Sequence, residues 1–140
     1  MKNKNRNYPG KGRVVMVHPH LTTDPVARQG YVGHVTRQKD ADTVVVTFDD
    51  GTSGMYQADA LLTLRPKQEI LDGLLSAIRA KHTDEALMQQ LYQLVIRNRY
   101  KQALPLAFES EATGSICLVA FDRWQQLAQH TQKARSLKPK

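Results

Sequence analysis

Few residues of this chain have the types and spacing that chemistry requires. His18-Pro19-His20 sets two imidazoles two positions apart, so in an extended segment both face one side and can reach one metal ion. Asp24 is the candidate third ligand. Two imidazoles at a strand exit nevertheless read first as exposed polar side chains, and no metal site is expected. Cys117, the only cysteine, sits in the apolar run 116–121, where a thiol serves as a small hydrophobe. It has no partner for an intramolecular disulfide or a zinc site, and no neighbouring base to make it a nucleophile. Glu109 and Glu111, two apart in a polar stretch, read as a solvated loop and not as an acid/base pair. No Walker loop, zinc-protease helix, nucleophile elbow or dinucleotide fingerprint occurs. The expectation is a protein that is not an enzyme and carries no cofactor.

Cations offer more. Arg97, Arg99, Tyr100 and Lys101 cluster where a second helix should end. The helix dipole alone favours cations there, which accounts for Arg97 and Arg99. The functional alternative is a phosphate-binding patch shared with Arg79 and Lys81, at the end of the preceding helix. The net charge is +7 over 140 residues, and the pI is near 9.7. Residues 1–13 hold Lys2, Lys4, Arg6, Lys11 and Arg13 with no acid, and residues 129–140 hold Lys133, Arg135, Lys138 and Lys140 with none. These tails contribute +5 and +4, so the body between them sums to −2. Basic tails on a mildly acidic body suit flexible arms that touch phosphates, or arms that only solubilise. Tyr31, Phe48 and Tyr56 could form a cation-holding cage beside Asp49 or Asp50, stack on unpaired bases, or simply pack, as Phe48 would after Val44 and Val46.

The elements that must position these groups follow from periodicity. Between Arg13 and Pro66 short β-branched runs alternate with turn residues. Strands are predicted at 14–17, 30–36, 43–48, 54–56 and 61–64, with a long loop over 20–29, a hairpin at Asp49-Asp50-Gly51-Thr52 and a helical turn at 57–60. From Lys67 the period becomes helical. Ile70, Leu71, Leu74, Leu75 and Ile78 form one apolar stripe, and Leu87, Leu91, Leu94 and Val95 a second, capped by Thr83 or Asp84. A break is expected near Pro105. Thr113-Gly114-Ser115 should stop one helix and start another, with Ser115 capping a helix that aligns Ile116, Val119, Ala120, Trp124 and Leu127. Trp124 should then anchor the helices to the strands.

Gly30-Tyr31-Val32-Gly33-His34-Val35 carries G-x-x-G-x-V, followed after a turn by Val44-Val45-Val46-Thr47-Phe48-Asp49-Asp50-Gly51. With the opening Gly12-Arg13-Val14-Val15-Met16-Val17, residues 12–66 resemble the KOW-type and Tudor-like SH3 barrels of ribosomal proteins and transcription elongation factors. The resemblance implies a small barrel that binds RNA, ribosomes, other nucleic acid or protein, without catalysis. Residues 14–66 depart from the ribosomal pattern, since Arg28, Arg37, Lys39 and Arg65 face six aspartates, a net of −2.

The expected fold is therefore α+β: a basic tail (1–13), a five-stranded SH3-like barrel (14–66), a packed helical bundle (67–128) and a second basic tail (129–140). With no apolar stretch near the start that could act as a signal peptide, and no apolar run approaching the ~20 residues of a membrane span, the protein is expected in the cytoplasm with no membrane partner. The expected function is non-catalytic binding of RNA or DNA through the tails and the helix-end patch. The alternative is a protein-interaction or assembly adaptor that docks a partner on the loop from Pro19 to Gln29 and on an exposed strand face.

Overall fold

The computed structural model describes residues 10–81 and 84–128. The strands are β1 (Val14–Val17), β2 (Val32–Gln38), β3 (Thr43–Phe48), β4 (Ser53–Gln57) and β5 (Leu61–Leu64), with a 3-10 turn at Ala58–Ala60. Helices α1 (Lys67–Arg79), α2 (Glu85–Ile96), α3 (Tyr100–Ala107) and α4 (Glu111–Cys117) come next, followed by a last strand, β6 (Leu118–Ala120). Residues 121–128 are helical and are called α5. No helix among the described residues is long and apolar enough to cross a membrane.

The closed five-stranded barrel expected from the strand pattern is not formed. The strands make one open, antiparallel, six-stranded sheet in the order β4-β3-β2-β1-β5-β6. The sixth strand comes from the helical half: Leu64, Thr63 and Leu62 pair with Leu118, Val119 and Ala120. That pairing occupies the second edge of β5, and β4 stands at the opposite end of the sheet.

β6 also corrects the expected last helix. Thr113, Gly114 and Ser115 lie inside α4, whose cap is Ser110; the Ser110 hydroxyl accepts from the Thr113 N–H at 3.3 Å. The 116–121 run is too short for its period to separate strand from helix, and the available β5 edge decides it. The chain turns before Pro105 as well. Pro105 is accommodated within α3, and the break falls at Asn98, whose φ is 59°. There the Asn98 N–H donates to Val95 O at 3.0 Å and the Arg99 N–H to Leu94 O at 2.9 Å, the paired bonds that close a helix around a left-handed residue.

Two clusters share the sheet. Val15, Val17, Val35, Val44, Val46, Phe48, Tyr56, Leu61 and Phe121 fill one, because every second residue of β1 to β4 points to that face. Met16 and Leu64 point the other way, onto Ile70, Leu74, Met88, Leu91, Val95 and Leu104 of the helices. Gly33 is required by close approach: a Cβ there would lie 2.7 Å from Thr47 O and 2.8 Å from Val46 Cγ1 on β3. Gly33→Ala is expected to destabilise the fold by about 1–3 kcal/mol, as overpacking does. A urea unfolding midpoint equal to wild type would show that β2 and β3 part without cost.

Candidate nucleic-acid interface

The antiparallel strands β1 and β5 bring Arg13, just before β1, beside Arg65, just after β5. The Arg13 guanidinium donates to Thr63 Oγ1 at 2.9 Å and Leu64 O at 2.6 Å and lies 4.2 Å from the Trp124 ring centroid. Burial lowers the Arg13 pKa, partly offset by nearby Tyr100, but a guanidinium stays protonated across the biological range. Pro66 then precedes α1, so Lys67 occupies its first turn.

The break at Asn98 aims α3 back toward the same place. Asn98 Oδ1 accepts from Tyr100 Oη at 2.6 Å and from Lys67 Nζ at 3.1 Å, which ties the start of α1 to the start of α3. Two adjoining hollows result. The first, about 270 Å³, includes Arg13, Thr63, Arg65, Lys67 and Tyr100 in its lining. The second, about 380 Å³, is lined by Val14, Asn98, Arg99, Tyr100, Lys101 and Gln102. Val14 and Tyr100 belong to both. Among the described residues five cations line the pair, and no carboxylate does. Asp49 meets Lys101 Nζ at 3.0 Å with both side chains more than half exposed. An ion pair so exposed holds weakly and can exchange for another anion.

The residues singled out by sequence are thus only partly assembled. Arg13, Arg99, Tyr100 and Lys101 meet; Arg97 caps the end of α2, exposed and outside both linings. Arg79 and Lys81 stand at the other end of α1, a helix length of roughly 20 Å from Lys67. Lys81 has φ 59° and follows the α1 cap, so its place is explained by helix termination. Lys11 is exposed beside Gly12, which lines the first hollow. Lys2, Lys4, Arg6, Lys133 and Arg135 lie outside the described residues. Arg65, Lys67 and Asn98 were missed. Their signals were the two cations flanking Pro66 and an Asn just past the last apolar residue of a helix.

The remaining candidates have structural employment. Asp24 organises the 20–29 loop, accepting from Val26 N–H at 2.9 Å, Arg28 N–H at 2.8 Å and Tyr56 Oη at 2.7 Å. His18 and His20 stack edgewise on Phe108, 5.5 and 5.8 Å between centroids, and His18 Nδ1 accepts from the His20 N–H. Among the described residues no group of three metal-ligating side chains comes together. Phe48 stands edgewise to both Tyr31 and Tyr56, and Arg28 lies 5.1 Å from the Tyr31 ring and 6.0 Å from Phe48. The cation beside these rings is therefore the chain's own, bonded to Asp50 at 2.7 Å and to Thr52 Oγ1. Burial pushes the Cys117 thiol up to about 12, with Arg65 opposing, so it stays protonated and unreactive near neutrality. Glu109 and Glu111 are both exposed.

No family model, curated protein or solved structure matches this chain.

Asp24 yields a pH prediction. Burial pushes its carboxyl up, but the hydrogen bonds from Tyr56 and the backbone of Val26 and Arg28 outweigh that and hold it below the usual aspartate value of 3.8. A carboxyl lowered by folding stabilises above its unfolded value and stops doing so as pH falls through the folded one. Asp24→Asn should therefore be less stable than wild type at pH 7, and the difference should narrow as the pH drops below 3.8. Urea midpoints at both pH values measure it. A gap that stays constant would mean that the carboxylate charge does not hold the loop.

Proposed function

We propose that the protein is a non-catalytic, cytoplasmic nucleic-acid-binding protein whose structured contact surface is the groove between the β1/β5 ends and the starts of α1 and α3. The observation that carries this is the run of Arg13, Arg65, Lys67, Arg99 and Lys101 along two joined hollows with no carboxylate among them. Phosphates are bound by such convergent cations at a large electrostatic gain, with release of counterions. Arg65 supports the reading further, since its Nε is buried with no acceptor among the described residues. The basic tails, with Lys2, Lys4, Arg6, Lys11, Lys133 and Arg135, serve as auxiliary arms on the same polyanion. The resemblance of residues 12–66 to KOW-type and Tudor-like proteins implies binding without catalysis, of nucleic acid or of protein.

The adaptor reading has less to stand on. The loop it would use is tied down internally by Asp24 and Arg28, and the two hollows of the groove are lined by cations.

Binding of a labelled oligonucleotide to the full chain, followed by fluorescence polarisation across a salt series, tests the proposal. Wild type should weaken steeply with salt. Lys67→Glu and Arg99→Glu should each lower affinity and flatten the slope of log K against log salt by about one or more, whereas Arg79→Glu, at the far end of α1, should have a smaller effect. An affinity indifferent to salt, or one that Lys67→Glu and Arg99→Glu leave alone, refutes the groove.

A further inference from the structure

We propose that the groove accepts single-stranded nucleic acid, with one unpaired base stacked on Tyr100 and the phosphates on its two sides held in the two hollows. This rests on the groove reading above and specifies its ligand. Among the described residues Tyr100 supplies the only aromatic ring in the lining of either hollow, and it belongs to both. Arg13, Arg65 and Lys67 lie in one hollow, and Arg99 and Lys101 in the other. Cations, ring, cations is the complement of a strand, in which each base is flanked by a phosphate on either side.

Size and rigidity agree. Hollows of about 270 and 380 Å³ lie at or just below the small end of ligand sites, so each suits one phosphate with its sugar. A duplex keeps its base faces stacked inside and offers only base edges and backbone to a protein, which leaves the Tyr100 ring nothing to stack on. A single strand exposes those faces, and stacking tolerates any base. The ring is also held in place before binding, because its hydroxyl donates to Asn98 Oδ1 at 2.6 Å, an acceptor shared with Lys67. Less side-chain freedom is then lost on stacking. Stacking is blind to the sugar, so single-stranded DNA and RNA present the same chemistry and are separate arms of the test.

The experiment measures anisotropy of labelled oligo(dT), oligo(U) and a duplex, each of about 12 nucleotides per strand, a length within the span of such grooves. Each is titrated at one fixed salt concentration with full-length wild type, Tyr100→Phe, Tyr100→Leu, Tyr100→Met and Lys67→Glu. Leu and Met both keep bulk at this half-buried position without an aromatic face, so if one variant fails to fold the other still reports; thermal melts show which have folded. Single strands should bind about tenfold or more tighter than duplex. Tyr100→Phe should retain that preference, while Tyr100→Leu or Tyr100→Met should weaken single-strand binding roughly 5- to 150-fold and leave duplex binding nearly unchanged. Equal affinity for duplex and single strand, or single-strand affinity untouched by loss of the ring, overturns the proposal. If Lys67→Glu still weakens every complex in that case, the groove remains a nucleic-acid site of another kind. No binding of any oligonucleotide, or no effect of Lys67→Glu on any of them, overturns both readings. A preference confined to oligo(U) or to oligo(dT) supports the proposal and names the source of the strand.

Discussion

Burial of β1 and β5 on both of their faces is the constraint on which the rest of the molecule depends. Val15, Val17 and Leu61 enter one cluster; Met16 and Leu64, from the same two strands, enter the other. A strand that is apolar on both faces must be covered on both, and here two different structures do the covering. Side chains of β2 to β4 and Phe121 pack with one face, and the helices lie on the other. The two parts therefore share a pair of strands and are not separated by a linker. Phe121 and Trp124, late in the chain, stack on each other and pack against the cluster formed by the early strands. Removing residues from either part would expose one face of the same two strands.

That shared pair also creates the groove. Antiparallel pairing of β1 with β5 sets Arg13 against Thr63 and Leu64, and the chain leaves β5 directly into α1. The left-handed turn at Asn98 returns α3 to the start of α1. Of the five cations gathered there, Arg13 is the most committed to the fold, since its guanidinium is spent on Thr63, Leu64 and the face of Trp124. Among the described residues Lys67 and Lys101 hold exposed single hydrogen bonds, to Asn98 and Asp49. On the proposed reading these two and Arg99 rearrange for a ligand, while Arg13 contributes a fixed positive field from beneath.

Local signals carried most of the elements. β1, β3 and β5 were legible to the residue, because β-branched alternation and the flanking Pro, Asp and Gly residues agree with one another. The α1 and α2 stripes were legible for the same reason. What was not legible depended on partners distant in sequence. Leu118-Val119-Ala120 continues a helical pattern when read locally, and becomes a strand because β5 has an edge to fill. Barrel closure failed as an expectation at the same point. In the candidate site, the cations at 99 and 101 were visible as a cluster, yet their neighbours were misassigned. Helix ends adjacent in sequence, at Arg79 and Arg97, were taken as one place, whereas an antiparallel helix pair puts the start of the first beside the end of the second. Lys67 is close for that reason.

The acidic sum over residues 14–66 has a local structural source. Residues 14–66 carry an excess of acid, which by itself argues against a polyanion partner. The aspartates are largely in turns. Asp40 Oδ1 accepts from the Asp42 N–H at 3.0 Å, Asp50 Oδ1 from the Thr52 N–H at 3.0 Å, and Asp24 from two backbone N–H groups of its loop. Backbone N–H groups, of Asp42 on one and of Thr52 on the other, are the chief cause that holds the Asp40 and Asp50 carboxyls below their usual value. These charges are there because a short polar side chain can bond its own backbone and shape a tight turn. A carboxylate used in that way says little about what binds elsewhere on the surface, since exposed charges beyond about 10 Å are screened at ordinary salt. The sum over a segment thus averages turn chemistry with site chemistry. The arrangement that bears on function is the local one, where the groove gathers cations and the turns keep most of the acid to themselves.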